Sequence, residues 1–95
     1  MKILAIEHES PDAKPELFSL HAASEARKVW ELHQDGVVRE LYFRGDRTEA
    51  VLILECASVE EAQQVLQALP LVQEGLITFE VIPLRAYPGF ARLFA

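Results

Sequence analysis

The chain has one cysteine, four glycines and no apolar run near the roughly 18 residues needed to cross a bilayer. A single cysteine, Cys56, rules out an internal disulfide framework and fits a reducing cytoplasm. Basic residues are also few. Nine stand against fifteen acidic ones, and the net charge of −6, with a pI near 4.9, works against partnership with nucleic acid or a membrane surface. No Cys/His cluster occurs and no two histidines lie four residues apart, so no metal is expected. The G-x-S-x-G, P-loop and G-x-G-x-x-G patterns are missing, which removes the serine elbow and nucleotide binding through those loops. The opening segment turns charged too early for a signal peptide. The expectation is a soluble, cytoplasmic protein that uses no cofactor.

What is present is ordinary for a folded chain: 51% hydrophobic and 25% charged residues over 95 positions, enough for a single domain spanning residues 1–95. Residues 2–8 form a short apolar run halted by Glu9-Ser10-Pro11-Asp12, a strand and its turn. Phe18, Ala22, Ala26, Val29 and Leu32 recur at helical steps across residues 15–35, and Gly36 supplies the stop. Residues 37–44 and 48–56 read as two strands joined through Gly45-Asp46, a hairpin. Ser58 with Glu61 three residues later is a capping box that opens a second helix, and Pro70 closes it. Residues 76–84 form a fourth strand, and Pro83 suits an edge. The order β-α-β-β-α-β predicts an α+β, ferredoxin-like domain whose four-stranded antiparallel sheet has the order 4-1-3-2.

A two-residue turn at Gly45-Asp46 would place Leu41, Phe43, Ala50, Leu52, Leu54 and Cys56 on one sheet face. Leu4 and Ile6 join them under the two helices, together with Ile77, Phe79 and Val81, leaving Arg39 as the exception. The other face then collects Ile3, Ala5, Glu7, Val38, Glu40 and Tyr42, followed by Val51, Ile53, Glu55, Thr78, Glu80 and Ile82. Solvated sheet faces alternate to polar residues, and this one does not. A second copy of the same face is its natural cover, which predicts a homodimer or larger homo-oligomer, a dimeric α+β barrel. Three of the eight aromatic residues, Tyr87, Phe90 and Phe94, fall within the last eleven positions. Residues 85–95 are therefore expected to pack as an apolar tail on a neighbouring subunit.

Carboxylates enclosed between apolar walls acquire raised pKa values suited to proton transfer. Glu7, Glu40 and Glu55 on the mixed face, with Tyr42 as a hydrogen-bond donor, are the candidate catalytic residues. Glu7 is expected beside Tyr42 and Thr78, with Glu40 and Glu55 toward the other end. Thr78, Glu80, His33 and the adjacent Trp30 are candidate substrate-binding residues. His21 lies near the polar border of the first helix and His8 ends the first strand; such histidines act as bases or ligands, or are simply hydrogen-bonded in place. Cys56 reads as core.

The second half of the chain carries a further signal. Glu31-Leu32 and Gly36 close the helix, and the hairpin ends in Glu55. Ala68-Leu69-Pro70-Leu71 and Phe79-Glu80-Val81-Ile82-Pro83-Leu84 follow, with Tyr87-Pro88 beyond. Over roughly residues 31–88 this resembles the muconolactone delta-isomerase family, small proteins of the dimeric α+β barrel superfamily. The resemblance implies a cofactor-free isomerase that moves a proton within an unsaturated lactone during aromatic degradation. A non-catalytic small-molecule-binding or assembly module and a cofactor-independent monooxygenase of the same fold stay open as alternatives.

Overall fold

The computed structural model describes all 95 residues. The chain runs β1 (Lys2–Glu9), α1 (Pro15–Gln34), β2 (Val38–Phe43), β3 (Ala50–Glu55), α2 (Val59–Gln67), α3 (Pro70–Gln73) and β4 (Ile77–Pro83). A short 3₁₀ turn, Gly89–Leu93, lies in the tail. The strands pair antiparallel in the order β2-β3-β1-β4, so the α+β ferredoxin-like arrangement expected from the sequence is the one observed.

Local chemistry explains the boundaries. Pro15 opens α1, where its missing amide goes unneeded. Gly36, at φ +79°, ends α1 in a left-handed turn: its own amide bonds His33 and the Val37 amide returns to the Leu32 carbonyl at 2.9 Å. Ser58 caps α2 by accepting from the Glu61 amide at 3.1 Å, while the Glu61 carboxylate accepts from the Ala57 amide. Pro70 does not only stop α2; it begins the single turn of α3, which Gly75, at φ +71°, ends in the same way.

Cross-strand partners share a face, which identifies what lies beneath the helices. Ile3 pairs Leu54 and Ala5 pairs Leu52, and all four are buried there. This corrects the expected phase of β1: Ile3, Ala5 and Glu7 lie under the helices, and Leu4 and Ile6 lie on the open side. Residues 3–6 are apolar without a break, so their alternation carried no phase information. Val38 also belongs to the helix side, because a bulge at Arg39 shifts the register between Val38 and Glu40. Arg39 is thereby released from the apolar face, and its Nε donates to the Gly36 carbonyl. The hairpin loop is longer than two residues, with Arg44 bonding Glu49 at 2.9 Å. The extra length is even, so the faces of the other β2 and β3 residues are as expected.

The core joins Ile3, Ala5, Val38 and Leu54 of the sheet to Leu32, Ala62, Leu66 and Leu69 of the helices. It is concentrated at one end. Of α1 only Leu32 is buried, and the inward stripe of Phe18, His21, Glu25 and Val29 is partly covered. The open sheet face carries Leu4, Ile6, Val51, Ile53 and Ile82 within a rim of Glu40, Tyr42, Glu80 and His8. Beyond β4 the chain leaves the body. The molecule extends 57 × 28 × 20 Å with a radius of gyration of 15.4 Å, against about 12 Å for a compact chain of this length.

Candidate active site

One row of the helix-facing side of the sheet reads Phe43, Ala50, Glu7, Phe79 from edge to edge. Ala50 comes next to Glu7 by continuing the register that pairs Ile6 with Val51. Glu7 is only 8% exposed. It therefore sits between two hydrophobic neighbours and under α1. Burial raises its pKa from 4.5 to about 7, reinforced by the charges of Glu49, Glu25 and Glu9 and opposed by the Ala50 amide.

From α1, Glu25 reaches into the same region. Its Oε1 accepts from the Leu71 amide at 3.0 Å, tying α1 to α3. Burial pushes this carboxyl up as well, with the Leu71 hydrogen bond acting against it. His21 lies one turn earlier on the same stripe of the helix and is partly covered. Glu49, at the end of the hairpin loop, behaves in the opposite way. Its Oε2 accepts from the Glu9 amide at 2.7 Å and its Oε1 lies 2.6 Å from Arg47 Nε. These partners hold its carboxyl below the usual range. A carboxylate kept charged thus stands near one that holds its proton close to neutral pH, a division typical of acid–base sites.

The remaining sequence candidates lie elsewhere. Glu40, Tyr42, Glu55, Thr78 and Glu80 are on the open face, so the sheet separates them from Glu7, and the expected grouping of Glu7 with Tyr42 and Thr78 does not form. Tyr42 donates to Glu40 Oε1 at 2.8 Å, and that bond pushes its phenol pKa up. Glu80 Oε1 lies 3.5 Å from His8 Nε2. Glu55 meets the Met1 amino group at 3.0 Å, which holds its carboxyl low. Thr78 borders a shallow groove beside Phe79, Leu66 and Gln63. His33 and Trp30 are exposed at the far end of α1, their rings 6.2 Å apart, and His33 Nδ1 donates to the Val38 carbonyl at 2.8 Å. No group of three His, Cys, Asp or Glu side chains is placed to hold a metal.

Sequence reading passed over Glu25 and did not select His21. The signal was available: both interrupt the stripe formed by Phe18, Val29 and Leu32, and a polar pair four residues apart on a core-facing stripe needs a partner. Glu49 gave no such signal, since its anchor is a backbone amide forty residues away.

A βαββαβ domain with its helices on one side of a four-stranded antiparallel sheet defines a protein of the ferredoxin-like α+β class. The family model described as muconolactone delta-isomerase matches residues 4–89, so the chain belongs to that family, and the match takes in β1 and the start of α1. Among solved structures it is similar to muconolactone isomerase, with a TM-score of 0.76 and 23% identity, covering 93% of this chain and 92% of that one. It is also similar to a 5-chloro-2-hydroxyhydroquinone dehydrochlorinase from Burkholderia phenoliruptrix AC1100 in complex with 2,5-dihydroxybenzoquinone. That match has a TM-score of 0.74 and 16% identity and covers 94% of this chain and 98% of that one. A comparison with curated protein sequences found no match.

Proposed function

We propose that this protein is a cofactor-free enzyme that transfers a proton within a small unsaturated carbonyl compound, a lactone of the muconolactone type, with Glu7 as the base. The observation that carries this reading is a carboxyl group 8% exposed whose pKa of about 7 balances its two protonation states at neutral pH. Ionised Glu7 takes the proton from the carbon next to the carbonyl, and the electron pair moves onto the carbonyl oxygen. A donor must meet the resulting enolate oxygen, and Glu25 or His21 on α1 is proposed for that part. Glu7 then returns the proton to a different carbon, so no atom is gained or lost. The family membership and the chemistry of the two similar structures, a muconolactone isomerase and a quinone-bound dehydrochlorinase, support a small oxygenated ring as substrate.

The working form is proposed to be a homo-oligomer built on a dimer of open sheet faces. One chain exposes 6705 Å², whereas a compact monomer of 10.7 kDa exposes about 5,500 Å². The excess resides in the open face and in the tail, where Tyr87, Phe90, Leu93 and Phe94 are all exposed. Residues 85–95 are proposed to lie on a neighbouring subunit. No helix is long and apolar enough to cross a membrane, and the buried free thiol of Cys56 suits a reducing cytoplasm.

The test is deuterium incorporation. Muconolactone incubated with the protein in heavy water should acquire deuterium, and Glu7→Gln should abolish exchange while far-UV circular dichroism is unchanged. Thermal stabilisation by the lactone without exchange would show a binding module instead. Oxygen consumption would show a monooxygenase.

A further inference from the structure

We infer that Glu49 is a positioning residue for Glu7: anchored between the Glu9 amide and Arg47, it fixes the hairpin loop and a negative charge beside the end of β1, and so raises the pH at which Glu7 exchanges its proton. This rests on the reading of Glu7 as the base. Glu49 is 8% exposed and sits at the loop end of β3, one residue before Ala50, the neighbour of Glu7. One oxygen accepts from a main-chain amide of β1 at 2.7 Å and the other lies 2.6 Å from the Arg47 guanidinium, which ties the carboxylate to the end of β1. The titratable groups that act on Glu7 are Glu9 on its own strand, Glu25 on α1 and Glu49 on the loop, the last paired with Arg47; β4 contributes the uncharged Phe79. Of these carboxylates Glu49 is the one that meets both a β1 amide and a guanidinium.

Glu49→Gln retains an oxygen for the Glu9 amide and removes the charge. The midpoint of Glu7, followed by carbon-13 NMR of its carboxyl in the whole protein, should fall by roughly 0.5–1 pH unit. The pH profile of lactone exchange should move with it. Arg47→Gln, at a half-exposed side chain, should move the midpoint the opposite way and decides the matter if Glu49→Gln fails to fold. Asp46→Asn removes a charge from the same loop at a residue bonded only to Arg44, and should shift Glu7 by less than half as much. An unmoved midpoint in both Glu49→Gln and Arg47→Gln, or equal shifts in Glu49→Gln and Asp46→Asn, would overturn the inference. Shifted midpoints with no exchange in any form of the protein would uphold it while refuting the enzymatic reading.

Discussion

Replacing Glu7 by glutamine should make the protein more stable above neutral pH and leave its stability almost unchanged in acid. In the folded chain Glu7 titrates near 7, against 4.5 for a free glutamate. Between those values the native state binds more protons at this site than the unfolded state does, so stability falls as pH rises. The contribution is fully present below 4.5 and is lost as pH passes 7. The gap between 4.5 and about 7, at about 1.36 kcal/mol per pH unit, amounts to about 3 kcal/mol. Glutamine matches the shape of the neutral acid and does not ionise, so it escapes the loss. Urea unfolding of both proteins at equal concentration, measured in steps from pH 4 to pH 9, gives the difference directly. The difference should open by up to about 3 kcal/mol in favour of Glu7→Gln across this interval. A difference that stays flat with pH would refute the assignment of a raised pKa to Glu7, and with it the argument that burial prepares this group for proton transfer.

Three other outcomes follow from the packing. Ile53→Glu puts a charge at the centre of the open sheet face, away from the helices, and should convert the proposed homo-oligomer to monomer at micromolar concentration by analytical ultracentrifugation without altering the far-UV spectrum. Deletion of residues 85–95 should weaken self-association and lactone exchange while leaving body strands and helices intact, because Tyr87, Phe90 and Phe94 contribute little to their own chain's core. Leu54→Ala empties a fully buried position between β1 and the helices and should destabilise the protein by about 2–5 kcal/mol in urea unfolding.

Much of the fold was legible because its signals are local. Gly36 and Ser58 mark helix ends by chemistry acting within one turn, and the even spacing of the hairpin preserved the faces of Leu52 and Leu54 despite a misjudged loop length. The phase of β1 was not local. Residues 3–6 are apolar on both sides because this central strand is covered on one face by helices and carries an apolar patch on the other. Only the pairing of Ile3 with Leu54 fixes which side is which. The bulge at Arg39 likewise becomes visible only from the register of both strands. Glu7 could be recognised as a candidate from its residue type. Its neighbours could not, since Glu25, His21 and Glu49 come from a helix and a loop whose approach to β1 is a tertiary fact.

The cover that the helices give the sheet is uneven from row to row. The helix layer closes well over the rows of Ile3 and Ala5, where Leu32, Leu66 and Leu69 meet the sheet. Further along, the inward stripe of α1 carries His21 and Glu25 in place of aliphatic residues, both partly covered. Leucines at those two positions would let α1 settle onto Ala50 and Phe79 and fill the space with side chains, gaining on the order of 1.5–3 kcal/mol for each one buried. The polar pair forgoes that gain and keeps this end of the layer open. At the neighbouring edge Phe43 remains 68% exposed, an arrangement unfavourable for an isolated subunit. An apolar segment from outside the body is the complement that would cover Phe43. The aromatic tail, proposed above to lie on a neighbouring subunit and exposed at Tyr87, Phe90 and Phe94, has the composition of such a segment.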